Sequence, residues 1–111
     1  MAGALKVRVV SPERTVFEGD AASLVAPAWD GQVGILPGHA PFLVLLGAGE
    51  LHVDLPGGGN EMFHVAGGVM KVEDGGVTVL TEYAGRDPHP HPARFTLDID
   101  HIVASPGNPL V

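Results

Sequence analysis

Six histidines stand in this chain of 111 residues: His39, His52, His64, His89, His91 and His101. On a β-scaffold, imidazoles are the ligand set of cupin-type metal enzymes. Those need a His-x-His pair, a glutamate and a later histidine converging on one barrel mouth. Here the His-x-His is His89-Pro90-His91, in a proline-alternating stretch rather than on a strand. His52 and His64 read as cross-strand neighbours on a polar face, where a surface pair accounts for them. Serine-nucleophile chemistry needs Ser, His and Asp with an oxyanion hole. The three serines, Ser11, Ser23 and Ser105, lie in no Gly-x-Ser-x-Gly elbow. Glu73-Asp74 and the Asp98/Asp100 pair fall on turns or a solvent face, where solvation explains them. Gly57-Gly58-Gly59 lacks the Lys-Ser/Thr of a phosphate loop and reads as a hairpin connection. The expectation is no catalytic residue, no cofactor and no metal site.

The elements that position these residues are organised around residues 26–46. Asp30-Gly31 is a two-residue hairpin signal, because glycine takes φ > 0 without a Cβ clash. Pro37-Gly38 suits a type II turn, with proline presetting the first central φ and glycine supplying the second. Leu36 and Ala40 precede prolines and are pushed to extended backbone. Residues 42–46 are an apolar run too short for a helix and fit a strand buried on both faces. Trp29 beside the turn is either a core plug or an interface anchor. His39 is either a loop residue bonding its own backbone or a contact for a partner.

Elsewhere the pattern is short strands. Residues 5–10 alternate, with Leu5, Val7 and Val9 on one face and Lys6 and Arg8 on the other. Ser11-Pro12 turns the chain into a strand from Thr15 to Glu18, and Gly19-Asp20 is read as the next turn. Residues 22–28 alternate weakly, and Pro27 marks an edge or a strand end. Leu51, Val53 and Leu55 share a face opposite His52 and Asp54. Phe63 and Val65 share the face of the return strand. Gly67-Gly68 marks a bulge or a close backbone approach. Residues 69–73 and 77–81 flank Asp74-Gly75-Gly76, a hairpin signal. The count is eight to ten short strands and no convincing helix, which predicts an all-β, flattened sandwich or barrel. Its domain is expected over residues 1–84. From Gly85 the composition changes: 87–92 alternates proline with polar residues, as an extended linker does. In the 85–111 tail, Phe95, Leu97, Ile99 and Val103 at period two favour a strand over a helix face of Phe95, Ile99 and Ile102.

Composition narrows the function classes. The net charge is −7, with only six lysines and arginines. Nucleic-acid binding needs a cationic footprint against phosphate, and docking on anionic lipid needs the same. The chain has no cysteine, so disulfides and thiolate metal sites are excluded. Its start does not read as a signal peptide. The longest apolar run is far below the roughly 18 residues that span a bilayer. These features make a soluble cytoplasmic protein the default expectation. Sixteen glycines and ten prolines disfavour helix interiors.

Four blocks carry a resemblance, in one order. They are Val9-Val10-Ser11-Pro12-Glu13-Arg14 with Phe17-x-Gly19-Asp20; Asp30-Gly31-x-x-Gly34-Ile35-Leu36-Pro37-Gly38-His39-Ala40-Pro41; Ala66-Gly67-Gly68-Val69; and Val77-Thr78-Val79-Leu80-Thr81-Glu82. Over residues 5–84 the chain resembles the N-terminal β-domain of the epsilon subunit of F-type ATP synthase. That resemblance implies a non-catalytic rotor subunit at the foot of the central stalk. Its partners would be the gamma subunit and the polar loops of the c-ring, and it would carry torque between them. It would be peripheral to the cytoplasmic face of a bacterial inner membrane, without lipid insertion, and not a homo-oligomer. By the family's motif, Asp30, Gly31 and Gln32, with Trp29 beside them, face the ring. His39, Ala40, Pro41 and Phe42 lie toward gamma or the ring. The tail departs from the family, whose usual C-terminal helical hairpin restrains hydrolysis and in some members binds ATP. Here the tail is proline-broken, and the hairpin is expected to be missing. Two rivals stand beside this reading, a stand-alone β-barrel binding module and a cupin-like enzyme.

Overall fold

A computed structural model describes residues 4–89. Ten strands follow one another: β1 (Leu5–Val10), β2 (Thr15–Ala21), β3 (Ser23–Ala28), β4 (Gly31–Ile35), β5 (Phe42–Leu45), β6 (Ala48–Asp54), β7 (Asn60–Ala66), β8 (Val69–Glu73), β9 (Gly76–Leu80) and β10 (Tyr83–Gly85). They form two five-stranded sheets, in the orders β2-β1-β9-β8-β5 and β10-β7-β6-β3-β4. β1 and β9 run parallel, and the other pairs are antiparallel. The fold is an all-β sandwich, as the spacing of apolar residues and turn signals implies.

Alternation sends one face of each strand inward. Leu5, Val7 and Val9 meet Leu51, Val53, Phe63, Val65, Met70, Val72, Val77 and Val79 in one apolar layer between the sheets. Each fully buried side chain of this kind contributes about 1.5–3 kcal/mol relative to exposure. At one end the sheets are stitched by polar groups. The Thr81 hydroxyl oxygen lies 2.7 Å from the Gly67 carbonyl and 2.9 Å from the Tyr83 carbonyl, and its single proton is donated to one of them. Gly68 there takes φ +110°, and a Cβ on it would stand 2.0 Å from the Leu80 carbonyl oxygen. The close approach expected at Gly67-Gly68 is therefore real, and only glycine fits it.

Four local readings change. Gly19-Asp20 is no turn: both residues pair within the first sheet, opposite Val7 and Lys6. The glycine leaves room for the Phe17 ring, 3.5 Å from where its Cβ would be. The Asp30-Gly31 hairpin exists, but its two loop residues are Trp29 and Asp30. Gly31 closes the ladder against Ala28 with φ +134°. His52 and His64 are not opposite one another, because His52 faces Met62 and His64 faces Glu50. Finally, residues 42–46 are not buried on both faces. β5 is an edge strand, with Leu43 65% and Leu45 50% exposed. A continuous apolar run reports hydrophobicity on both faces, not the presence of neighbours to cover them. The tail strand expected at 95–103 lies outside the described residues.

Candidate functional site: the β4–β5 side

β4 and β5 are the last strands of their respective sheets, and they lie along one side of the sandwich. Their ends are tied together. The Trp29 amide donates to the Leu45 carbonyl (3.0 Å), and the Gly47 amide donates to the Pro27 carbonyl (2.9 Å). Ala28 and Leu46 form an isolated bridge. At the other end, residues 36–41 connect the two strands. Gly38 has φ +88°, and the His39 amide donates to the Leu36 carbonyl at 3.1 Å, which closes the expected turn.

The sequence-derived site residues divide between these two ends. Trp29, Asp30, Gly31 and Gln32 cluster at the hairpin tip, beside Leu45. His39, Ala40, Pro41 and Phe42 occupy the opposite end. β4 separates the groups by about 13 Å at the usual strand rise. They form two poles of one side, not one patch. Trp29 is 40% exposed, so it is not the core plug that was one of its two readings. His39 Nδ1 lies 2.7 Å from the Ala40 carbonyl oxygen, and its ring packs 5.0 Å from that of Phe42. The histidine thus bonds its own loop while remaining exposed.

Between the poles lie residues that the sequence reading passed over. Among the described residues the exposed large apolar side chains are Trp29, Leu36, Leu43, Leu45 and Leu80. Four of the five belong to the Trp29-to-Leu45 stretch. The fifth joins it through strand register: Leu45 pairs with Val69, Val69 with Leu80, and Leu80 with Val10. Laterally paired residues share a face. An apolar row therefore runs from the open side across the outer surface of the first sheet. Beyond that row the outer face turns ionic, with Lys6–Asp20 at 2.9 Å, Arg8–Glu18 at 3.8 Å and Lys71–Glu73 at 3.6 Å. An exposed apolar row of this kind has the chemistry of a surface that could dock another chain. The signal in the sequence was the unbroken run at 42–46, in a chain whose other strands alternate.

The pattern of the ATP synthase delta/epsilon chain, beta-sandwich domain, matches residues 4–87. This chain belongs to that family. The ATP synthase epsilon chain of Alkalilimnicola ehrlichii is 44% identical over 82 residues, spanning 74% of this chain and 59% of the relative. That of Nitrosococcus oceani is 42% identical over 86 residues, spanning 78% and 61%. This delta/epsilon-family chain thus spans about three fifths of the length of the relatives it matches. Two solved structures share its fold. A chain of the Euglena gracilis mitochondrial ATP synthase superposes with a TM-score of 0.70 at 21% identity, covering 92% of this chain and 61% of that one. A chain from the central stalk and c-ring structure of the Tetrahymena thermophila mitochondrial enzyme gives 0.62 at 14% identity, covering 97% and 76%.

Proposed function

We propose that this delta/epsilon-family chain is the epsilon subunit of the central stalk in a proton-translocating F-type ATP synthase. It links the gamma subunit to the c-ring, turns with both, and catalyses nothing itself. The observation that carries the reading is the exposed apolar side from Trp29 to Leu45, on the stretch that also bears the family's Pro37-Gly38-His39-Ala40-Pro41 motif. Leu43, Leu45 and Leu80 with the His39 loop supply the surface for gamma. The Trp29–Asp30 tip supplies the contact to the ring, where Asp30 pairs with a cationic loop residue. An exposed pair of that kind contributes about 0–1 kcal/mol, so it orients more than it binds. Torque transfer requires a body that does not shear. The filled apolar layer and the Thr81 stitch between the sheets support that requirement.

The subunit sits peripherally on the cytoplasmic face of a bacterial inner membrane, held through the ring. On this reading residues 85–111 supply no helical brake, because Pro88, Pro90, Pro92, Pro106 and Pro109 disfavour helix in that sequence. The test is co-purification of the full chain with gamma and the ring from native membranes. Asp30→Arg, His39→Ala and Leu43→Asp variants are expected to be retained less while staying folded. Equal retention of all three would overturn the reading.

A further inference from the structure

We infer that β4 is an acceptor edge, and that gamma, which the reading above seats on the adjoining Leu43 and Leu45 of β5, adds an extended, uncharged segment to it as a further strand. This rests on the stalk-docking reading above and specifies how that contact is made. The register dictates which backbone groups are free. Ala28 and Gly31 close a two-residue hairpin, so they exchange hydrogen bonds, as do Ala26 with Val33 and Leu24 with Ile35. Residues between these pairs turn their amides the other way. The Pro27 carbonyl obeys this: it points away from β4 and accepts the Gly47 amide. By the same alternation, Gln32 and Gly34 turn N–H and C=O out of the sheet, and both residues are exposed.

Among the described residues the other edges are defended and this one is not. Exposed edges are normally blunted by charge, bulges, shortness or capping. β2 carries Glu18 and Asp20, and its ladder shifts register at Val9/Val10. β10 has three residues. β5 has four, and its Leu45 carbonyl is already taken by Trp29. β4 reads Gly-Gln-Val-Gly-Ile, with neither charge nor proline. A Cβ at Gly34 would meet nothing within 4 Å, which leaves space for a large side chain on the incoming strand. Exposed Trp29 and Leu36 stand at the two ends of β4, so an added strand would run along apolar surface. Main-chain bonds would then provide affinity and those side chains would set register.

Hydrogen exchange of the full chain, alone and bound to gamma, tests this amide by amide. Val33 is expected to be protected in both states. Gln32 and Gly34 are expected to exchange freely alone and about tenfold or more slowly in the complex. Gly34→Pro removes an outward N–H and no β3 bond, which an edge strand tolerates. It is expected to weaken the complex about tenfold without lowering stability. A complex that forms while Gln32 and Gly34 exchange as before overturns the added strand and leaves the docking reading intact. Failure of any complex to form overturns both. If Gly34→Pro does not fold, the exchange pattern of the unmodified chain decides.

Discussion

The Trp29 amide donates to the Leu45 carbonyl at 3.0 Å, fastening the free end of the edge strand β5 to the tip of the β3–β4 hairpin. This bond places two exposed apolar residues, Trp29 at 40% and Leu45 at 50%, at one pole of the open side. It also couples the two sheets where the proposed contacts with gamma and the ring adjoin.

Leu45→Asp adds a charge where the side chain is half in water. The folded chain should change stability by less than about 0.5 kcal/mol in urea unfolding. Binding to gamma should fall about tenfold or more, since the substitution desolvates a carboxylate at an apolar contact. Val53→Asp is the opposite control. Val53 is fully buried, so that variant should not fold. A strongly destabilised Leu45→Asp would mean that the residue belongs to the core.

Gly68→Ala should be among the most damaging small substitutions. The added Cβ would collide with the Leu80 backbone at a φ of +110°. The cost is expected to exceed about 3 kcal/mol, since backbone, not a flexible side chain, must move. Gly57→Ala, where a Cβ meets nothing within 4 Å, should be nearly neutral. Comparing the two urea midpoints checks the close approach directly.

Arg86 fastens the strap after β10. Its guanidinium donates to the Met62 carbonyl (2.8 Å) and the Glu61 carboxylate (2.6 Å), and lies 4.6 Å from the Phe63 ring centroid. Arg86→Ala should cost about 1–2 kcal/mol, more than an exposed ion pair alone, because the aromatic and carbonyl contacts go with it. Arg86→Lys should recover only part, since an ammonium lacks the planar fork. Full recovery by lysine would show that charge alone matters.

Asp54 is held ionised below the usual carboxylate range. The Asn60 side chain, which donates to it at 2.9 Å, is the main cause, followed by the Ser23 hydroxyl at 2.8 Å, with nearby His52 adding a smaller effect. Its folded pKa lies below its unfolded one. Its stabilisation is therefore present above the unfolded value of about 3.9 and lost as pH falls through the folded value. Asn60→Ala should move the Asp54 titration upward, as followed by carboxyl NMR. An unmoved midpoint would assign the shift elsewhere.

Much of the fold was legible in the residues. Leu5, Val7 and Val9 alternate with Lys6 and Arg8, and the strand they predict is the one observed. Pro37-Gly38 and Asp74-Gly75 specify turns through φ preferences that act within a few residues. Gly19 misled, because glycine in a strand and glycine in a turn look alike until its neighbour, here Phe17, is seen to lie over it. At the candidate site, the motif names two groups of residues, and the structure adds where each stands, at opposite ends of β4.

The amino-acid sequence by itself determined the class of fold, the order of turns and strands, and the family, since all three follow from local φ preferences, side-chain alternation and motif. The tertiary structure decided which strands became edges. Leu43 and Leu45 are chemically no different from the buried Leu24 and Leu51. They face water because alternation along β5 turns them to the outer surface of the first sheet, where, among the described residues, no second layer covers them. That outcome belongs to tertiary packing, and no local pattern encodes it.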